Sequence, residues 1–71
     1  MKEITESQQR CLDAVKELTV KGIPPNLSDL GRYLNQAPHS CKQTLLRLER
    51  AGAVELIRRD GKIITRGILI L

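Results

Sequence analysis

Apolar residues recur at helical spacing three times along this chain, then switch to strand-like runs near its end. Cys11, Val15 and Leu18 fall at i, i+4 and i+7, with Leu12 beside them. That spacing predicts one apolar stripe on a helix from about Glu6 to Lys21. Thr5 precedes it and Gln8 follows three residues on, the pattern of a capping box. Gly22 is the expected stop, because it takes positive φ at no steric cost. Pro24-Pro25 then force an extended link. A second, shorter helix is predicted from Leu27 to Leu34, with Asn26 as N-cap and Asp29 in the first turn. Leu27, Leu30 and Leu34 share one face. Gly31 sits beside them at a cost of about 1 kcal/mol relative to Ala, so close approach of another helix is expected there.

The turn Asn35-Gln36-Ala37 leads to Pro38, which suits the first turn of a third helix running to about Ala51. Asn35 is the best substitute for Gly where the chain needs left-handed φ, and Ala37 is a poor N-cap. Cys41, Leu45 and Leu48 repeat the i, i+4, i+7 stripe, and Gly52 ends it. Val54 to Arg58 and Ile63 to Leu71 are rich in β-branched residues and flank Asp60-Gly61, the strongest short hairpin signal. Gly67 is expected to mark a bulge or bend in the second strand. Two helices joined this tightly cross at a steep angle, and the second can stand proud of the body. The predicted fold is α+β: a winged helix-turn-helix, with three helices followed by a two-stranded antiparallel hairpin wing. Residues 1–71 form one domain.

Composition narrows the function. Tyr33 is the only aromatic residue, so the core must be built from Leu, Ile, Val and Ala. No apolar run approaches the roughly 18 residues of a membrane span, and no signal peptide is visible, so a cytoplasmic protein is expected. Cys11 and Cys41 both fall on apolar helix faces and are expected to be buried thiols, not a disulfide. With His39 as the only histidine, a zinc site of about four ligands is not expected. Nothing calls for a cofactor or a small-molecule ligand. Ser7, Ser28, Ser40 and His39 form no nucleophile–base arrangement, because adjacent helical residues do not face each other. An enzyme is therefore not expected.

The net charge is +4 and is unevenly placed. Residues 1–31 carry four basic and five acidic side chains; residues 32–71 carry eight and three. Basic charge concentrated in one half is the footprint of a polyanion binder, though it also serves solubility. With Cys41, Leu45 and Leu48 inward, His39, Gln43, Leu46 and Arg50 point outward at 100° per residue, flanked by Ser40, Lys42 and Arg47. Residues near the start of such a helix reach base edges. Expected base contacts are therefore His39, Ser40, Lys42 and Gln43; Gln pairs with adenine and Lys donates to guanine. Arg47 and Arg50, further along, suit phosphates. Arg58, Arg59, Lys62 and Arg66 surround the wing and are expected on the DNA backbone, although charged residues also protect edge strands. Leu46 is the exception on the outward face, and partial burial under the wing is expected for it.

These residues also carry a resemblance. The start ITESQQRCLDAV, the link GIPP, the helix LSDLGRYL, the passage LERAGAVE and the closing RGILIL resemble the N-terminal DNA-binding domain of LexA-type repressors, bacterial regulators of the SOS response. The resemblance implies a winged helix that binds operator DNA. It departs where the reader helix begins: Asn35 stands where the family carries Gly, and Ala37-Pro38-His39-Ser40-Cys41-Lys42-Gln43 is more basic than the family's usual stretch. The family's operator is therefore not expected to carry over. No counterpart of the family's C-terminal protease and dimerisation domain lies in these residues, so self-cleavage is not expected. A fragment, or a small stand-alone regulator of a phage or mobile element, both fit.

The expected function is sequence-specific binding of double-stranded DNA by a repressor-like transcriptional regulator, with Leu46, helix one and Ile68–Leu71 as candidate surfaces for a second copy or a partner protein. The alternative is a protein-interaction winged helix, an adaptor for a polymerase, replication factor or partner regulator. Leu46 and the apolar chain end favour that alternative; the clustered charge, Lys42 and Gln43 favour DNA.

Overall fold

The computed structural model describes residues 4–71, Thr65 by its backbone alone; the polar start Met1–Glu3 lies outside the described residues. Three helices, α1 (Glu6–Leu18), α2 (Leu27–Leu34) and α3 (Pro38–Arg50), precede strands β1 (Val54–Arg59) and β2 (Lys62–Ile70). The strands form a two-stranded antiparallel sheet. α3 packs across both α1 and α2, and β1 packs against α3. The architecture is a winged helix-turn-helix.

The capping box is present: the Thr5 side chain accepts from the Gln8 N–H, and the Gln8 side chain accepts from the Thr5 N–H. The helix, however, stops at Leu18 and not at Lys21. Thr19 donates both its N–H and its hydroxyl to the Val15 carbonyl, at 3.0 and 2.6 Å. Its backbone is already extended, as β-branched residues favour. Val20 and Ile23 then exchange two backbone hydrogen bonds around Lys21 (φ 53) and Gly22 (φ 80). Gly22 does adopt positive φ, but as the second residue of a tight reverse turn rather than a helix stop.

α2 closes on Asn35, at φ 57, with the Gln36 N–H on the Gly31 carbonyl at 2.8 Å. Gly31 is needed because a Cβ there would lie 2.5 Å from the Gln36 carbonyl oxygen. The close neighbour is thus the backbone of the turn, not the face of another helix. α3 ends in a complete Schellman motif. The Ala53 N–H bonds the Leu48 carbonyl and the Gly52 N–H bonds that of Glu49, with Gly52 at φ 82.

Leu30, Leu45, Leu48 and Val15 are fully buried at the junction of the three helices, with Val54, Leu56 and Ile68 covering them from the hairpin. Cys11 and Cys41 lie in the same core as free thiols. Asp60 (φ 53) and Gly61 (φ 79) turn the hairpin; the strands run one residue closer to that turn than the expected Arg58 and Ile63 ends, and β2 stops at Ile70, one residue short of the expected Leu71. Leu56 pairs with Ile68 and Arg58 with Ile63, so Ile57 alone faces residues 64–67. The bulge expected at Gly67 is therefore wide. A Cβ at Gly67 would sit 2.6 Å from Ile64 Cγ1, and Arg66 takes φ 60.

Candidate nucleic-acid interface

α3 begins at Pro38 with no side-chain cap from Ala37, and its back face, Cys41, Leu45 and Leu48, is sealed into the core. Apart from half-buried Thr44, the rest of its first two turns faces outward. His39, Ser40, Lys42 and Gln43 are all exposed, as are Arg47 and Arg50. His39 and Gln43, one turn apart, are linked through their side chains at 3.1 Å. The Ser40 carbonyl accepts from the Thr44 hydroxyl at 3.1 Å. Leu46 is half-buried against the core. The four residues expected to meet base edges thus lie together at one end of one helix.

The expected backbone contacts divide into two groups. Arg59 and Lys62 pair across the hairpin on either side of Asp60-Gly61 and are exposed. Arg58 and Arg66 turn instead to protein partners. Arg58 donates to both carboxylate oxygens of Glu49, at 2.6 and 3.0 Å. Arg66 donates to the Pro24 carbonyl at 2.9 Å and lies 3.5 Å from Asp29. Neither sits at the wing tip with a free guanidinium, as the charge pattern alone had implied. Between α2, α3 and the wing runs a crease of about 300 Å³, apolar at Leu27, Leu45, Leu56 and Ile64, with Lys42 on its wall.

Glu49 is the residue that sequence reasoning missed. Its carboxylate also accepts the Leu56 N–H at 3.0 Å. The hydrogen bonds from Arg58, then that from Leu56, pull its pKa down to about 2. The clue in the sequence is its position. A carboxylate in the last turn of a helix opposes the macrodipole, so a partner beyond the helix is called for. Burial acts the other way on the thiols, raising Cys11 to about 11 and also raising Cys41. Among the described residues, no helix is long and apolar enough to cross a membrane.

Comparison with known proteins agrees with this geometry. A family model described as the LexA DNA binding domain matches residues 1–62. A LexA repressor from Methylococcus capsulatus and one from Psychromonas ingrahamii are each 33% identical to the chain over 73 aligned positions. Those alignments take in 100% of this chain but 34% and 33% of the two relatives. The chain therefore spans about a third of the length of the curated relatives it matches.

Proposed function

The chain belongs to the LexA DNA-binding domain family, and on that premise we propose that it is a sequence-specific double-stranded DNA binder acting as a repressor-like transcriptional regulator. α3 enters the major groove. His39, Ser40, Lys42 and Gln43 meet base edges, Gln43 with the geometry for adenine and Lys42 for guanine. Arg47 and Arg50, then Arg59 and Lys62 from the wing tip, meet phosphates and supply affinity without sequence information. Arg58 and Arg66 border this surface and reach phosphate only by giving up their present partners. The observation that carries the proposal is the split character of α3. Its inward stripe is fully buried, while His39, Ser40, Lys42 and Gln43 are all exposed at one end.

One module of this kind covers about 600–1,000 Å². Tight operator binding therefore calls for two copies on half-sites about 34 Å apart, or at multiples of that spacing. The two relatives being named as repressors supports a role in repression.

A protein-adaptor role has one observation in its favour: Leu69 and Leu71 are exposed at 46% and 71%. Salt separates the two. Fluorescence anisotropy on a labelled mixed-sequence duplex should show affinity falling steeply between about 50 and 200 mM salt, as counterion release requires. Arg59→Ala and Lys62→Ala should weaken all duplexes alike, whereas Lys42→Ala and Gln43→Ala should change the ranking of duplexes. Salt-independent binding, or none, would remove the DNA role.

A further inference from the structure

A wing contributes to DNA binding only if its tip is held at a fixed angle to the reader helix. Val54, Leu56 and Ile68 anchor the hairpin base in the core; among the described residues, polar side chains tie the hairpin to the helical body at two further places. One is Arg66, which reaches Pro24 and Asp29 from β2. The other is Glu49, which reaches β1 from the last turn of α3. We propose that Glu49 is a positioning residue that sets the wing against α3 for DNA, touching no DNA itself; this rests on the DNA-binding role proposed above.

The ion pair lies at the surface, with Arg58 exposed and Glu49 half-buried, but its geometry is that of a brace. Oε1 takes Arg58 Nη2, while Oε2 takes both Arg58 Nη1 and the Leu56 N–H. The Leu56 N–H therefore points away from β2, toward the outer edge of β1. The carboxylate stands where a neighbouring strand's carbonyl would otherwise be. One side chain thus fixes two points on β1, one backbone and one guanidinium, only a few residues from Arg59 at the tip. The charge makes the same point from the other side. Glu49 is the only acidic residue of α3. It sits near a helix end that disfavours it and beside cations meant for phosphate. On charge alone its removal should improve DNA binding twice over, by deleting a negative charge and by freeing Arg58. A brace predicts the opposite sign.

The test is a set of four proteins on one labelled duplex, read by anisotropy from 50 to 200 mM salt: wild type, Glu49→Gln, Arg59→Ala/Lys62→Ala, and all three substitutions together. Glu49→Gln should bind more weakly than wild type despite its higher net charge. Its log–log salt slope should fall by up to about 2, the loss of two phosphates, which shrinks the salt penalty across that range about tenfold. The tip substitutions should weaken wild type clearly and Glu49→Gln hardly at all, a coupling that mere loss of stability does not produce. Far-UV circular dichroism checks that each variant is folded at the assay temperature. Should Glu49→Gln not be folded, Arg58→Lys, which keeps the charge and loses the paired contact, carries the same expectation of weaker binding and reduced tip sensitivity. Binding by Glu49→Gln as tight as wild type or tighter, or fully additive tip effects, would overturn the brace while leaving the DNA role intact. Absence of salt-dependent binding by the wild type would overturn both.

Discussion

Gly31→Ala is normally a favourable exchange inside a helix, gaining about 1 kcal/mol in propensity. Here the structure reverses the sign. The new methyl carbon would lie 2.5 Å from the Gln36 carbonyl oxygen and 3.4 Å from Pro38 N. The first distance is about 1 Å short of comfortable contact, and the obstacle is backbone, which cannot rotate aside. Gln36 is also pinned from its other end, because its N–H bonds the Gly31 carbonyl at 2.8 Å. Moving the oxygen away strains that bond and shifts Ala37 and Pro38, the start of α3. Overpacking costs about 1–3 kcal/mol and a weakened hydrogen bond about 1 kcal/mol. After the propensity gain, a net loss of about 2 kcal/mol remains. For a domain this size that lowers Tm by about 8–16 °C. Thermal unfolding followed by far-UV circular dichroism measures it. A Tm equal to or above that of the wild type would refute the close approach of turn and helix, and with it the account of how α3 is aimed.

Three further outcomes follow from other parts of the fold. Gly67→Ala places a methyl 2.6 Å from Ile64 Cγ1 and 3.1 Å from two carbonyl oxygens, so urea unfolding should show a loss of about 1–2 kcal/mol. Cys11 and Cys41, buried and held protonated, should resist a thiol-disulfide reagent at neutral pH and react fully in denaturant; rapid labelling of the folded protein would contradict their burial. Glu49, lowered from 4.5 to about 2, contributes stability that is present above pH 4.5 and is lost as pH falls toward 2. The drop in Tm over that window should be smaller in Glu49→Gln than in the wild type.

Local chemistry was the legible part of this chain. The Thr5–Gln8 box, the Asn26 cap, the left-handed Asn35, the Gly52 stop and the Asp60-Gly61 turn each act within a few residues. Each appears where its own side chain or backbone preference dictates. Gly31 and Gly67 were legible as anomalies, but not the atoms that demand them. A missing Cβ reports that something is near without saying what. The end of α1 was misplaced because Gly22 fits a helix stop and a tight turn equally well, and only the Val20–Ile23 pairing separates them. The partners of Arg58 and Arg66 were beyond reach for a different reason. They lie 9 and 42 residues away, and charge counting treats every arginine on a basic face as free. The candidate base-reading residues needed only the helical period and the buried Cys41–Leu45–Leu48 stripe, both of which the sequence displays.

The central claim, that the exposed end of α3 reads base pairs, is tested most directly by selecting bound sites from random duplex DNA with the wild type and with Gln43→Ala in parallel. The claim predicts a defined site for the wild type, and for the variant the same site relaxed at one or two positions, each worth about 1–3 kcal/mol of discrimination. An identical site from both proteins, or no enrichment by the wild type, would contradict it.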